Sequence, residues 1–387
     1  MGATIPNMAT EPYSPERLPP GVHSRFVDDM NGLRMHVLES GFEIAGRPVV
    51  LLLHGFPELA YSWRKVLVPL ADEGYHVVAP DQRGYGRTTG ADTTYDGDLP
   101  SYGRLNTVRD AMGLLSALGY GQVAAVVGHD FGSPVAAWCA LLRPDIFRSV
   151  VLMSAPFGGA GPFPYGPRAL ERAAERATLH EDLAALPRPR KHYQRYYQAR
   201  EANENMWHAP QGVHAFLRGY YHHKSADWKR NRPFRLAGAT AEEFAKMPTY
   251  YVMDRDEGMA ETVAKEMPSA AEIAANRWLP DSEMAVYAEE FGRTGFQGGL
   301  QWYRAGGIGA REMELFAGRT IDQPSLFISG ASDWGVYQSP GALERMRDVA
   351  CTDMQGVHLV EGAGHWVQQE QAEETSRLLI EFLRRNA

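Results

Sequence analysis

Cysteine is scarce: Cys139 and Cys351 are the two in 387 residues. Beyond a single bridge, a disulfide framework is excluded, and a reducing, cytoplasmic setting is expected. Positive charge is also short. Lys and Arg number 39 against 47 Asp and Glu, for a net charge of −8, which argues against nucleic acid and anionic membranes as partners. No run of 18 apolar residues occurs, so no segment is expected to span a membrane. The N-terminus lacks the basic-then-apolar layout of a secretory signal. Internal repeats and low-complexity stretches are missing as well. What is present is 44% hydrophobic and 22% charged, the balance of a globular enzyme with a substantial core.

Residues 1–22, rich in Pro and polar side chains, are expected to form a flexible arm. "RFVDDMNGLRMHVLESG" then reads as a hairpin turning at Asn31-Gly32. "RPVVLLLHG" (47–55), "YHVVAPDQRG" (75–84), "QVAAVVGHD" and "SVVLMSAP" (149–156) are apolar runs ending in turns, with helical patterns such as 105–118 between them. That alternation predicts an α/β fold with a mostly parallel sheet and functional loops at the strand C-terminal ends. From about 158 the rhythm breaks into charged and aromatic helical patterns, including 167–185 and 283–292, without a strong strand. It returns with "PSLFISGASD" (324–333), "GVHLVEGAGHW" (356–366) and a final amphipathic helix. The expected layout is a core over 23–157, an inserted, mainly helical cap over 158–315, and the rest of the core over 316–387. "FGGAGPFPYGP" (157–167) is the expected hinge.

"VVGHDFGSPVAAW" (126–138) carries the chemistry. A strand, two glycines four residues apart and a helix make a nucleophile elbow, the G-x-S-x-G turn that exposes its central side chain. Here that residue is Asp130. Two partners follow in the chain order such a fold requires: Asp333 after "SLFISG" and His365 after "VHLVEG". The backbone N–H groups of Phe131 and Phe56 are the expected oxyanion hole, and His54 is expected to fix the loop around Phe56. A carboxylate is ionised at neutral pH and needs no base to attack. At an acyl carbon it would gain little. At a saturated carbon bearing a leaving group it makes a stable ester, which a His–Asp pair can then help water to cleave. The elbow therefore implies displacement at sp³ carbon, with C–O of an epoxide or C–halogen breaking. A non-catalytic receptor has no need for three charged groups held together. No step calls for a cofactor or a metal, and "HH" at 222–223 lacks ligand partners.

From about residue 25 to the end, the chain resembles the epoxide hydrolases of the α/β-hydrolase fold. "HGFPE" with "SWR", "DQRGYG", "GHDFG", "SAPF" and "GHW" look like that family's core motifs. These are shared with haloalkane and haloacetate dehalogenases, so dehalogenation is the alternative. In the cap, "EEFGRTGFQGGLQWYR" (289–304) is similar to the segment that carries one of the family's two cap tyrosines, here Tyr303. "YQRYYQ" (193–198) looks like the segment bearing the other, here Tyr193, with Tyr196 and Tyr197 as rivals. The resemblance implies that these phenols hydrogen-bond and protonate the epoxide oxygen. Phe131 departs from the family, where Trp is frequent. It keeps the backbone donor and loses an indole N–H of the kind that binds halide, which tilts against dehalogenation. The expected small-molecule substrate is an apolar or aryl epoxide, in a pocket lined by Phe56, Pro57, Phe131, Trp302 and Trp366. Monomer and homodimer both remain open.

Overall fold

The turn at Asn31-Gly32 forms the expected hairpin. Both residues hold positive φ, 50° and 77°, as a two-residue turn between right-twisted strands requires. The computed structural model describes residues 11–162 and 178–386. The hairpin joins β1 (His23–Met30) to β2 (Leu33–Ser40). The apolar runs become β3 (Val49–Leu53), β4 (His76–Pro80), β5 (Ala125–His129) and β6 (Val150–Met153). The short β7 (Arg190–His192) and β8 (Val252–Asp254) follow, then β9 (Ser325–Gly330) and β10 (Met354–Val360). Eight of them form one sheet in the order β1-β2-β4-β3-β5-β6-β9-β10. From β4 to β10 neighbouring strands run parallel.

Every residue of β3, β4, β5 and β6 is buried. Strands covered on both faces need no polar alternation, which is why they read as continuous apolar runs. Helix Gly132–Leu142 packs on β5 and β6 and against helix Arg104–Ala117. It is buried nearly all round, Cys139 included. The chain runs from β3 to β4 on one side of β3, then returns to β5 on the other. Loops at such a reversal diverge and leave a crevice beyond the strand C-terminal ends.

Between β6 and β9 the described chain is mainly helical, including Tyr193–Tyr197, Gly212–Lys224, Asp281–Thr294 and Gln297–Arg304. One feature differs from the expectation: β7 and β8 pair as an antiparallel ribbon. Three residues each are too few for a period of two to register. The insert is tied to the core at several points. Tyr221 Oη donates to Pro57 O at 2.9 Å, and Trp302 Nε1 donates to Arg83 O at 2.9 Å. Gly298 and Gly84 meet so closely that a Cβ on Gly298 would collide with the Gly84 carbonyl.

Residues 11–22, expected to be flexible, are anchored at three apolar side chains. Tyr13, Leu18 and Val22 are buried, the Arg87 guanidinium lies 4.0 Å from the Tyr13 ring centroid, and Arg17 pairs with Glu289 of the insert. Apolar residues scattered through a Pro-rich run show no period from which packing could be read. Residues 1–10 of that arm lie outside the described residues, as do 163–177, which hold part of the expected hinge and of the helix expected over 167–185. Residues 178–185 are helical.

Candidate active site

Asp130 stands at the tip of the turn after β5 with φ of 49°. A non-glycine residue rarely adopts that conformation without surroundings that enforce it. Here the enforcement is close packing. A Cβ on Gly128 would collide with the Gly132 carbonyl, and one on Gly132 with the Leu53 carbonyl. Gly55 lets the loop after β3 lie against the Asp130 side chain itself. The two carboxylate oxygens of Asp130 have different neighbours. Oδ1 accepts from Phe56 N–H at 2.9 Å. Oδ2 lies 3.3 Å from His365 Nε2, outside hydrogen-bond geometry. Burial works to raise the Asp130 carboxyl. His365, Lys224 and His129 outweigh it and hold the group well below the usual carboxylate range. The Phe131 N–H, expected as a second donor, makes no hydrogen bond to this carboxylate, while its ring stands edge-on to Tyr303, centroids 4.6 Å apart.

His365 and Asp333 follow β10 and β9, as expected, and meet: His365 Nδ1 lies 3.1 Å from Asp333 Oδ1. Asp333 is buried and accepts two further hydrogen bonds, from Gly335 N–H at 2.7 Å and Ser329 Oγ at 2.9 Å. Burial pushes its carboxyl up, but His365, the Gly335 N–H and Ser154 bring it below its ordinary value. With Nδ1 facing a carboxylate, the ring donates there, and Nε2 is left free to take a proton. The loop is held as firmly as the ring. His365 N–H donates to Lys224 O at 2.9 Å, and Glu370 accepts from the flanking Gly364 and Trp366 N–H groups, both at 3.0 Å.

Two residues that sequence reasoning missed lie directly behind. His129 Nε2 contacts His365 O at 2.7 Å, and its Nδ1 contacts Glu58 Oε2 at 2.6 Å. A carbonyl and an ionised carboxylate only accept, so both nitrogens donate and the ring is an imidazolium. Burial alone would lower its pKa; the Glu58 charge and hydrogen bond raise it. Glu58 is in turn lowered by His129 against the effect of burial. Both residues sit inside motifs already singled out, "HGFPE" and "GHDFG", but nothing local signals that they pair. His54 is the loop-fixing residue expected: Nδ1 donates to Gly55 O at 2.9 Å, and Nε2 accepts from Gln82 N at 3.1 Å.

Tyr303 and Tyr193 come together on the insert side, ring centroids 6.0 Å apart. Tyr303 also packs edge-on to Phe56 at 5.5 Å, and its hydroxyl makes no hydrogen bond among the described residues. Tyr193 Oη donates to Gln338 Oε1 at 3.1 Å and accepts from Gln194 Nε2 at 3.2 Å. Burial first, then the Asp130 charge, raises Tyr193 well above the ordinary phenol value. Tyr303 is raised by burial, then by Tyr193 and Asp130. The rivals are engaged elsewhere: Tyr196 Oη donates to Asn205 Oδ1 at 2.6 Å, and Tyr197 Oη to Tyr220 Oη at 3.1 Å.

Two residues expected on the pocket wall are differently used. Trp366 is enclosed, 0% exposed, stacked on Tyr221 at 4.1 Å and edge-on to His365 at 4.7 Å. It buttresses the His365 ring. Trp302 hydrogen-bonds Arg83 and backs Phe131 from behind, centroids 5.7 Å apart. Phe56 and Pro57 occupy the loop after β3, both buried. Among the described residues no three His, Cys, Asp or Glu side chains stand close enough to hold a metal ion. Nor is any described helix long and apolar enough to cross a membrane.

Comparison with known proteins adds three kinds of likeness. A profile of the alpha/beta hydrolase fold matches residues 48–372. Epoxide hydrolase A of Mycobacterium tuberculosis is 34% identical over 364 residues, covering 92% of this chain and 95% of that protein. Epoxide hydrolase B of the same organism is 32% identical over 357 residues, covering 91% and 96%. Among solved structures, an epoxide hydrolase from an endophytic Streptomyces superposes with a TM-score of 0.73 at 32% identity, covering 95% of this chain and 96% of that one.

Proposed function

Because the chain belongs to the epoxide hydrolases of the α/β-hydrolase fold, we propose that it hydrolyses its substrate in two steps through an ester on Asp130. In the first, Asp130 Oδ2 attacks an epoxide carbon and the ring C–O bond breaks toward oxygen. Tyr193 and Tyr303 hydrogen-bond that oxygen and protonate it. Their raised pKa values keep both phenols neutral, and so able to donate, at any physiological pH. In the second, His365 Nε2 takes a proton from water, whose oxygen adds to the ester carbonyl. Asp333 supports the imidazolium that forms. The oxyanion rests on Phe56 N–H, with Phe131 N–H as second donor. The acyl C–O bond then breaks, the His365 proton passes to the departing alkoxide, a vicinal diol leaves, and the proton left on the Asp130 carboxyl returns to the phenolate that protonated the epoxide oxygen.

The observation that carries this reading is the division of labour on Asp130. Oδ1 is already spent on the Phe56 N–H, so Oδ2 is the oxygen available for attack, and it faces the base that would later cleave the ester. The aromatic surroundings, Phe56, Phe131, Tyr193 and Tyr303, support an apolar or aryl epoxide. We expect His365→Gln to trap the intermediate. Mixed with styrene oxide, it should gain the whole mass of the substrate, mapped to the peptide containing Asp130, and Asp130→Ala should gain nothing. Loss of halogen mass from a haloalkane on the same peptide would support dehalogenation instead. A folded His365→Gln protein that stays unmodified beside an active wild type would mean that water attacks the epoxide directly.

A further inference from the structure

A buried lysine lies beside this site, outside the groups named in the two steps above. Lys224 ends the helix Gly212–Lys224 and is 3% exposed. Among the described residues no carboxylate pairs with its Nζ and no hydrogen bond is made by it. Four rings surround it instead: Tyr251, Trp366, Tyr220 and Tyr250, with Nζ 5.1, 5.4, 5.5 and 5.8 Å from their centroids. A carboxylate partner would cancel the field of the ammonium. Aromatic faces stabilise a cation through their quadrupoles and add no counter-charge, so the field is left standing.

The cage is built from the site's own parts. Trp366 abuts His365, Tyr251 abuts Tyr193 at 5.0 Å, and the Lys224 carbonyl holds the His365 N–H. Burial lowers the Lys224 pKa, while the Asp130, Asp333 and Glu58 charges act the other way. Glu370 fastens the two loops together, accepting from Ala226 N–H at 2.8 Å and from the residues flanking His365. The position of the charge relative to the His365 loop is therefore fixed.

Resting on the ester reading above, we propose that Lys224 supplies the positive charge that stabilises the oxyanion formed when water attacks the Asp130 ester. The two steps respond to this charge in opposite ways. In alkylation, negative charge leaves the Asp130 carboxylate for the epoxide oxygen, so a nearby cation favours the starting state or is neutral. In hydrolysis, a neutral ester becomes an oxyanion on the Asp130 carbonyl oxygen, where the cation favours the transition state. Lys224 acts through its field and touches none of the reacting atoms.

The test is a rapid-quench single turnover with styrene oxide, a neutral substrate, followed by intact mass. Lys224→Met fills the cage without charge. Its adduct should form at least as fast as in the wild type and decay roughly tenfold more slowly, a loss of about 1.4 kcal/mol of transition-state stabilisation. Lys224→Arg, which keeps the charge, should restore most of the decay rate. A purely structural role predicts that both steps slow together. Equal slowing, no change in either step, or Lys224→Arg decaying as slowly as Lys224→Met would overturn the proposal. Lys224→Gln, with the same outcomes deciding, replaces the Met variant if circular dichroism shows the latter unfolded. Should His365→Gln form no adduct, the two-step reading fails. An adduct there, without the split at Lys224, removes the role of Lys224 alone.

Discussion

Glu58 on the core side of the site accepts four hydrogen bonds, from Gly55 N–H, His129, Gln368 and Gln369, and Asp333 accepts three. Across the crevice, the Tyr303 hydroxyl and the Lys224 ammonium have no hydrogen-bond partner among the described residues. Tyr193 lies between these extremes, bonded to two glutamine amides that an incoming oxygen could displace. The difference separates two tasks. The carboxylates of the core side are fixed by complete hydrogen bonding, so they need no reorganisation at the moment of reaction. Donors that serve the substrate are held by packing on the insert, the Tyr303 hydrogen unspent and the Tyr193 hydrogen given to a glutamine oxygen that substrate could displace.

The largest expected effect comes from removing the two phenol donors. Tyr193→Phe with Tyr303→Phe keeps both rings in their edge-to-face contacts and deletes the two hydroxyls. Loss of a positioned acid commonly costs about 10²–10⁴-fold, and we expect the double variant to lose that much in the rate of adduct formation. Decay of an adduct, once formed, should be unaffected, because the phenols take no part in cleaving the ester. Normal single-turnover alkylation by the folded double variant would show that the insert wall is merely packing.

Next comes the core wall, through Glu58→Gln. The Glu58 pKa is depressed, so its contribution to stability is present above the unfolded value of about 4.3 and lost as pH falls through the folded value. The His129 pKa is raised, so its contribution is complete below about 6.5 and lost as pH rises through the folded value. The pair is therefore worth most between these limits. Removing one partner of a buried pair leaves the other uncompensated, at about 3 kcal/mol. Urea midpoints at pH 4, 5.5 and 9 should show the largest gap between wild type and variant at pH 5.5. A gap that does not change with pH would mean that His129 is neutral and the imidazolium assignment is wrong.

How much of this was legible in the sequence depends on whether a residue's surroundings are local. Asp130, Asp333 and His365 each follow an apolar run at a turn, so strand order alone brings them to one end of the sheet. The tyrosines required a resemblance, because an aromatic on a helix face looks the same whether it packs or reacts. Glu58 and His129 are 71 residues apart, and only the adjacency of β3 and β5 joins them. Lys224, at a helix end after two histidines, reads as a solvated charge until Tyr250, Tyr251 and Trp366 close around it. Trp366 stands next to His365 in the chain and was expected to face substrate. Its indole instead turns onto Tyr221, a residue of the insert whose location over the core no local pattern reveals.

The smallest effect tests the comparison within one short helix, where Tyr193 and Tyr196 are three residues apart. Both are buried, both phenols are raised in pKa chiefly by burial, and only for Tyr193 does the Asp130 charge contribute to the shift. Tyr196 Oη is committed to Asn205, whose Oδ1 also accepts the Ala260 N–H at 3.0 Å. That hydroxyl closes a structural network, and its loss leaves an amide oxygen with one partner where it had two. Tyr196→Phe should therefore cost about 1 kcal/mol of stability and leave both single-turnover rates at their wild-type values. Tyr193→Phe should do the reverse, with little change in the melting temperature and a slower alkylation step. If alkylation falls in Tyr196→Phe and survives in Tyr193→Phe, the second acid of the site is Tyr196, and nearness to the Asp130 charge does not predict which of them reacts.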